Sequence, residues 1–233
     1  MWFHRLKYKD LLLNIMFDLL SFWKSKGMDP KVIYDIGGCE GSWAYNITRL
    51  FPDAHLEVFE ANPDMKSKIE QYNHHIVLLG NESKKDVQFF KNTVGCNTGN
   101  SIYLEQTVYF TPQTAVIQLM NMYTLTEFVK DNNLKKPDFI KLDVQGAELD
   151  ILKGMTDLME SVKYFVIECS LHKYNKDSPM IEEIIAYLHK YNFNMIDIVE
   201  LHRIHGVLVQ VDILFAHNST GMRKEHFYDV GMF

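Results

Sequence analysis

Apolar residues along this chain are grouped in two ways. Short apolar runs, each closing on an acid or a turn, alternate with stretches whose apolar positions recur at helical spacing. Val32-Ile33-Tyr34-Asp35-Ile36 is the first such run and predicts a strand. It feeds Gly37-Gly38-Cys39-Glu40-Gly41, and Trp43, Ile47, Leu50 and Phe51 then mark one face of a helix. His55–Glu60 predicts a second strand. Asn62-Pro63 has the form of an N-cap with proline at the first helical position, before a face of Met65, Ile69 and Tyr72. Ile76–Leu79 predicts a third strand, closing into Gly80-Asn81-Glu82.

The pattern changes between residues 86 and 120. Val87–Lys91, Ser101–Leu104, Thr107–Phe110 and Ala115–Leu119 are β-rich, with Gly95, Asn97, Gly99 and Asn100 as turn residues between them, which predicts a β-hairpin insertion. Thr124-Leu125-Thr126-Glu127 has capping-box spacing and opens a helix through Val129, stopped by Lys136-Pro137. Alternation then resumes. Asp138–Asp143 predicts a strand, Leu149, Ile151 and Leu152 a helix, Tyr164–Cys169 a strand, and Ser178-Pro179 the start of a helix carrying Ile181, Ile184, Ile185 and Leu188. Met195–Val199 and Val207–Phe215 close the sheet as an antiparallel pair. This is an α/β chain with a mostly parallel, doubly wound sheet covered on both faces. It reads as one domain over residues 28–220, an N-terminal amphipathic segment over 1–27 and a tail over 221–233.

The N-terminal segment is apolar after Arg5, Lys7 and Lys9, but Asn14 and Asp18 interrupt it, so it is too broken to span a bilayer. No small-residue cleavage site follows, which argues against a secretory signal. Lys7, Asp10, Asn14, Asp18, Ser21 and Ser25 trace one helical stripe. The opposite face would pack on the domain, pack on a second copy in a homodimer, or lie on a membrane surface. Composition narrows the field further. A formal net charge of -6 gives no basic footprint for nucleic acid. Three cysteines, Cys39, Cys96 and Cys169, show no metal-ligand spacing and suggest a reducing compartment, hence the cytoplasm.

In a parallel sheet of this kind, ligands sit beyond the carboxyl ends of the strands. Asp35, Glu60, Asp143 and Glu168 all fall at those ends. The glycine turn fails the dinucleotide fingerprint, since counting from Gly37 puts Cys39 and Ser42 at the later glycine positions, and no P-loop lysine follows. Asp35 and Glu40 would also repel a pyrophosphate. A cationic nucleoside such as S-adenosylmethionine suits the turn better, its ribose diol bonding Glu60 about twenty residues past the glycines.

Three stretches then resemble the FkbM family of class I methyltransferases, over roughly residues 30–217. Tyr34-Asp35-Ile36-Gly37-Gly38-Cys39-Glu40-Gly41-Ser42-Trp43 is similar to the family's D-x-G-A-N-x-G turn. Pro137–Glu148, with Leu152-Lys153-Gly154 after it, resembles D-F-[IL]-K-[IL]-D-x-E-G-A-E and L-K-G. Gln210-Val211-Asp212-Ile213-Leu214-Phe215 resembles the late Q-x-D-x-x-F strand. Cys39 stands where asparagine is usual and Gln145 where glutamate is usual. The resemblance implies a Rossmann-like, seven-stranded sheet with an antiparallel C-terminal strand. It also implies methyl transfer from S-adenosylmethionine to a hydroxyl of a sugar, glycan or other small metabolite. A non-catalytic module that binds S-adenosylmethionine or a partner on the same fold is the alternative.

The expected cofactor residues are Asp35, Gly37, Gly38, Gly41, Trp43, Glu60, Ala61, Asn62, Asn81 and Asp143. Asp143 is the first candidate for acceptor chemistry, as base, acceptor anchor or metal ligand, with a helix N-cap as its structural alternative. Glu168 is second, against a strand-end ion pair. Together they could hold a divalent cation, although no third ligand stands out. His172 is a candidate general base by its ordinary pKa, and Glu148 a first-turn charge. Asn100, Ser101 and Tyr103 would shape the acceptor pocket or simply form a hairpin turn. His74-His75 and His202-Arg203-Ile204-His205 read as surface.

Overall fold

The computed structural model describes residues 15–92, 99–106, 111, 114–173 and 175–225. In chain order the elements are α1 (15–25), β1 (Val32–Ile36), α2 (Ser42–Leu50), β2 (His55–Glu60), α3 (Lys66–Ile69), β3 (Asn73–Ile76), β4 (Leu78–Gly80), β5 (Lys84–Asn92) and β6 (Ala115–Thr124). They continue as α4 (Leu125–Asp131), β7 (Phe139–Leu142), α5 (Glu148–Lys153), β8 (Tyr164–Ser170), α6 (Ile181–Lys190), β9 (Phe193–Ile204), β10 (Val207–His217) and α7 (Met222–Glu225). Seven strands form one sheet in the order β3-β2-β1-β7-β8-β10-β9. The pairs among β3, β2, β1, β7 and β8 are parallel, and β10 runs antiparallel to both β8 and β9. From β1 the chain winds outward to β2 and β3, then returns to place β7 on the other side. The crevice at that reversal is where such sheets bind ligands.

Side chains alternate between the faces of each strand, and the two faces have separate jobs. One carries Tyr34, Ile36, Phe59, Ile140, Leu142, Phe165, Ile167, Val211, Ile213 and Phe215, packed with residues of α4, α5 and α6 in one continuous core. The other carries Ile33, Leu56, Val58, Phe139, Tyr164, Val166, Leu214 and Ala216 under Trp43, Ala44 and Ile47 of α2 and Met16, Leu20 and Trp23 of α1. Within α1 the Trp23 indole N–H also donates to Asp197 Oδ2 of β9 at 2.9 Å. The inner face of α1 is thus committed to the domain, while Ile15 and Phe22 remain exposed on its outer side. No helix among the described residues is long and apolar enough to cross a membrane.

Several expected elements shift. The third strand divides at Val77: β3 pairs with β2, whereas β4 leaves for a second sheet ordered β4-β6-β5, in which β4 is parallel and β5 antiparallel to β6. The insertion is therefore a small sheet shared with the main chain path, with Leu78, Phe89 and Met122 as its core. Ser101 touches it only through an isolated bridge to Phe90. The expected strand at 107–110, the turn residues Gly95 and Asn97, and Cys96 lie outside the described residues, as do 1–14 and 226–233. Thr124 caps α4 as its spacing predicts, accepting the Glu127 N–H at 3.2 Å. The helix expected at Ser178-Pro179 begins at Ile181, because Glu183 reaches back to the Met180 N–H at 3.1 Å. β9 runs well past Val199, a change that matters for the site.

Candidate active site

On the face covered by α1 and α2, the apolar layer gives way at the carboxyl edge to Asp35, Glu60, Lys141, Asp143, Glu168 and Asp212. Strand parity explains the grouping, since each lies an even number of residues from an apolar member of that face. Asp35, next to last in β1, is wholly buried, and among the described residues neither of its carboxylate oxygens has a hydrogen-bond partner. Lys141 Nζ lies 3.9 Å from Asp35 Oδ1 and 2.9 Å from Asp143 Oδ2. Burial pushes the Asp35 carboxyl up to about 6, with Lys141 opposing. Burial works against charge on Lys141, but Asp143 and Asp35 outweigh it and hold its pKa above the ordinary value. Asp143 is held below the usual carboxylate range: burial opposes ionisation, and Lys141 and the Gln145 amide prevail.

The two turns touch. Gly37 has φ +86°, and a Cβ there would sit 1.8 Å from the Asp143 carbonyl oxygen, so only glycine fits. Gly37 and Gly38 donate their N–H groups to the Phe59 carbonyl at 2.9 and 3.0 Å, binding the turn to β2. Gly41, at φ +78°, is the N-cap residue of α2. Glu60 accepts the Cys39 N–H at 2.8 Å and the Asn62 N–H at 2.7 Å, one on each oxygen. Asn62 Oδ1 accepts the Asp64 N–H at 3.2 Å and caps the 3₁₀ turn Pro63–Met65, leaving its Nδ2 buried without a partner among the described residues. Trp43 sits in the core beside Phe139, with its Nε1 equally unpartnered among them. Ala61 packs against the small insertion core. Asn81 lies farther out, donating to Asp150 Oδ1 at 3.2 Å, and the Tyr103 hydroxyl donates to Asp150 Oδ2 at 2.6 Å.

Beyond Asp143, the Gln145 Nε2 amide donates to Asp143 Oδ1 at 2.8 Å and to Glu168 Oε2 at 2.9 Å, joining the two carboxylates. Gln210 Nε2 donates to the same Glu168 oxygen at 2.8 Å. Glu148 staples the turn, its Oε1 accepting the Val144 and Gly146 N–H groups at 3.0 and 3.2 Å. His172, expected in this cluster, is exposed on the loop after β8. The histidine that joins the cluster is His202, whose Nε2 is 2.6 Å from Asp212 Oδ2. Reading His202 as surface is therefore corrected, because β9 extends to Ile204 and brings it opposite Gln210. His75 is corrected likewise: it bonds Glu57 at 2.9 Å and stacks on Phe59 with centroids 4.9 Å apart.

Residues 35–195, more than half of the chain, match the family described as the methyltransferase FkbM domain. The chain belongs to that family. It is similar to the hexuronic acid methyltransferase AglP of Haloferax volcanii, 24% identical over 160 residues, or 65% of this chain and 61% of that protein. A second relative, methyltransferase 1 of Beauveria bassiana, is 24% identical over 173 residues, 64% of this chain and 66% of its own. The chain spans less than two thirds of the length of either relative. Among solved structures, the magnesium protoporphyrin IX methyltransferase of Synechocystis is 10% identical with a TM-score of 0.49, over 89% of this chain and 84% of that one.

The methyl donor that goes with FkbM methyltransferases is S-adenosylmethionine, and the turn can be tested against it. Asn62 Nδ2 is buried without a hydrogen-bond partner among the described residues, and Asp35 is a buried acid partly offset by Lys141 at 3.9 Å. Each Glu60 oxygen, with one backbone donor, keeps a lone pair for a ribose hydroxyl. The excess of carboxylates suits a sulfonium and an ammonium. The residues fit this cofactor. The family's asparagine position also gains a physical meaning: Cys39 has φ +46°, a left-handed backbone that asparagine adopts more readily than cysteine. Gln145, at the family's glutamate position, supplies an amide donor between two carboxylates where an ionised glutamate would add a third charge.

Proposed function

We propose that this chain transfers a methyl group from S-adenosylmethionine to a hydroxyl of a sugar, with hexuronic acids the first acceptors to try. The observation that carries the reading is the junction of the two turns, where Asp143 lies beside both the Gly37 backbone and the Gln145–Glu168 bridge. The printed activity of the Haloferax relative supports the sugar class. S-adenosylmethionine would supply the methyl group on a positively charged sulfur. Glu60 and Asn62 would hold its nucleoside end, and the buried Asp35 would set a negative potential beneath it.

Asp143 is held ionised, so it accepts a hydrogen bond from the acceptor hydroxyl and orients the oxygen for in-line attack. As the oxygen–carbon bond forms and the carbon–sulfur bond breaks, the hydroxyl proton becomes strongly acidic. A weakly basic carboxylate such as Asp143 then suffices to take it. Lys141 positions Asp143 rather than reacting. Asp143→Asn should lower turnover by roughly two orders of magnitude, within the range for a lost general base, while S-adenosylhomocysteine affinity holds. If affinity collapses with turnover, Asp143 serves the cofactor or the fold instead.

The test is transfer of labelled methyl from S-adenosylmethionine to hexuronic acids and hexuronic-acid oligosaccharides, followed by mild alkali. A methyl ether survives and supports the hydroxyl reading. An alkali-labile label is an ester on the sugar carboxylate and overturns it. Protein that binds the cofactor but labels no glycan or metabolite extract would favour a non-catalytic module.

A further inference from the structure

We propose that Glu168, His202 and Asp212 form a binding site for one first-row divalent cation. One ligand comes from each of β8, β9 and β10, and their donor atoms all lie within 4.8 Å of one another. His202 Nε2 is 2.6 Å from Asp212 Oδ2 and 3.9 Å from Glu168 Oε1. A cation bonded at about 2.1 Å keeps its ligand atoms roughly 3 to 4.2 Å apart, so small side-chain adjustments close the site.

The surrounding residues have the arrangement of outer ligand support. Gln145 and Gln210 both donate to Glu168 Oε2, fixing the carboxylate while leaving Oε1 as the oxygen nearest the imidazole. Glu200 Oε1 lies 3.9 Å from His202 Nδ1, close enough for the ring's other N–H to turn toward it when Nε2 binds metal. Charge points the same way. Lys141 is drawn first to Asp143 and Asp35 and reaches Glu168, Asp212 and Glu200 more weakly. Among the described residues His202 is thus the cationic side chain placed directly against those three carboxylates. A protonated imidazole supplies one positive charge, whereas a divalent cation supplies two and leaves the ring neutral.

Two carboxylates and one imidazole suit manganese, iron, cobalt or zinc better than the all-oxygen preference of magnesium or calcium. Three protein ligands leave coordination positions open, and half-buried His202 puts the site at the accessible rim of the cluster. Through Gln145 the site is one side chain from Asp143, so a sugar oxygen on the metal would sit beside the transfer position. That last clause rests on the O-methyl reading; the site itself does not.

Manganese(II) titration followed by electron paramagnetic resonance tests the site, with circular dichroism on the same samples to verify folding and S-adenosylhomocysteine calorimetry run separately. The wild-type chain should quench the free-ion signal at one manganese per chain. His202→Gln and Asp212→Asn should each weaken binding at least tenfold, and exposed His172→Gln should change nothing. Folded protein that leaves the manganese signal free overturns the proposal, as does equal binding by wild type and both site variants. Loss of S-adenosylhomocysteine binding by the wild type would instead sink the methyl-transfer reading alone.

Discussion

Asp35 concentrates the conflict between stability and ligand binding. Its carboxyl is buried, stands 3.9 Å from the only buried lysine at this edge among the described residues, and has a pKa raised by burial from 3.8 to about 6. Because the folded value lies above the unfolded one, the neutral acid stabilises the fold fully below the unfolded value of 3.8, and that contribution is lost as pH rises through about 6. The shift corresponds to about 3 kcal/mol at neutral pH. Asp35→Asn should therefore raise the apo melting temperature at pH 7.5 and change it little at pH 4, while weakening cofactor binding. A thermal-unfolding series across that window checks the sign; a gain independent of pH would show that the charge is not the cause.

Glu60 behaves differently, because two backbone N–H groups already hold its carboxylate in place. Glu60→Gln keeps the side chain's shape but replaces one oxygen with a donor facing a backbone N–H. Glu60→Ala frees both N–H groups and the ribose together. Hydrogen bonds to a charged group contribute roughly 1.5–3 kcal/mol each, so the alanine variant should lose at least an order of magnitude in S-adenosylhomocysteine affinity by calorimetry. Unchanged affinity would remove Glu60 from the cofactor site.

At the level of elements, the described part of α1 is bound into the core through Met16, Leu20 and Trp23. Leu20 is fully buried, so Leu20→Ala should cost roughly 2–5 kcal/mol, read as a lower urea midpoint. A neutral result would mean that the helix does not dock on this face. The same scale shows what was legible beforehand. The alternation of β1, β2, β7 and β8 with helices could be read because each strand is a clean apolar run ending in an acid, and three motifs marked the turns. The split at Val77 could not, since Ile76–Leu79 is continuously apolar and β3 and β4 differ only in which neighbour they pair with. β9 reads too short from its pattern because its register slips against β10 near Asp212 and Leu214, which breaks the period-two alternation before Glu200 and His202. Lys141 with Asp143, Glu200 with His202, and Gln210 with Asp212 are all i, i+2 pairs on one strand face. That spacing was the available signal for the residues missed.

Across the described residues, one face of the sheet is mostly apolar, interrupted by buried Glu57 with His55 and His75, while the other becomes strongly polar at its carboxyl end. The strand order puts the Gly37 turn and the Asp143 turn side by side at the reversal between β1 and β7. The Gly37 turn, the Asp143–Gln145 turn and the Glu168–His202–Asp212 cluster thus form one continuous polar edge. Its carboxylates outnumber its cations, which is how a site for a cationic cofactor should look before that cofactor arrives. Calorimetric titration of the folded chain with S-adenosylhomocysteine tests this most directly. Saturable binding of one molecule per chain, weakened in Glu60→Ala and retained in Asp143→Asn, is the predicted result. A folded chain that takes up none would contradict the account.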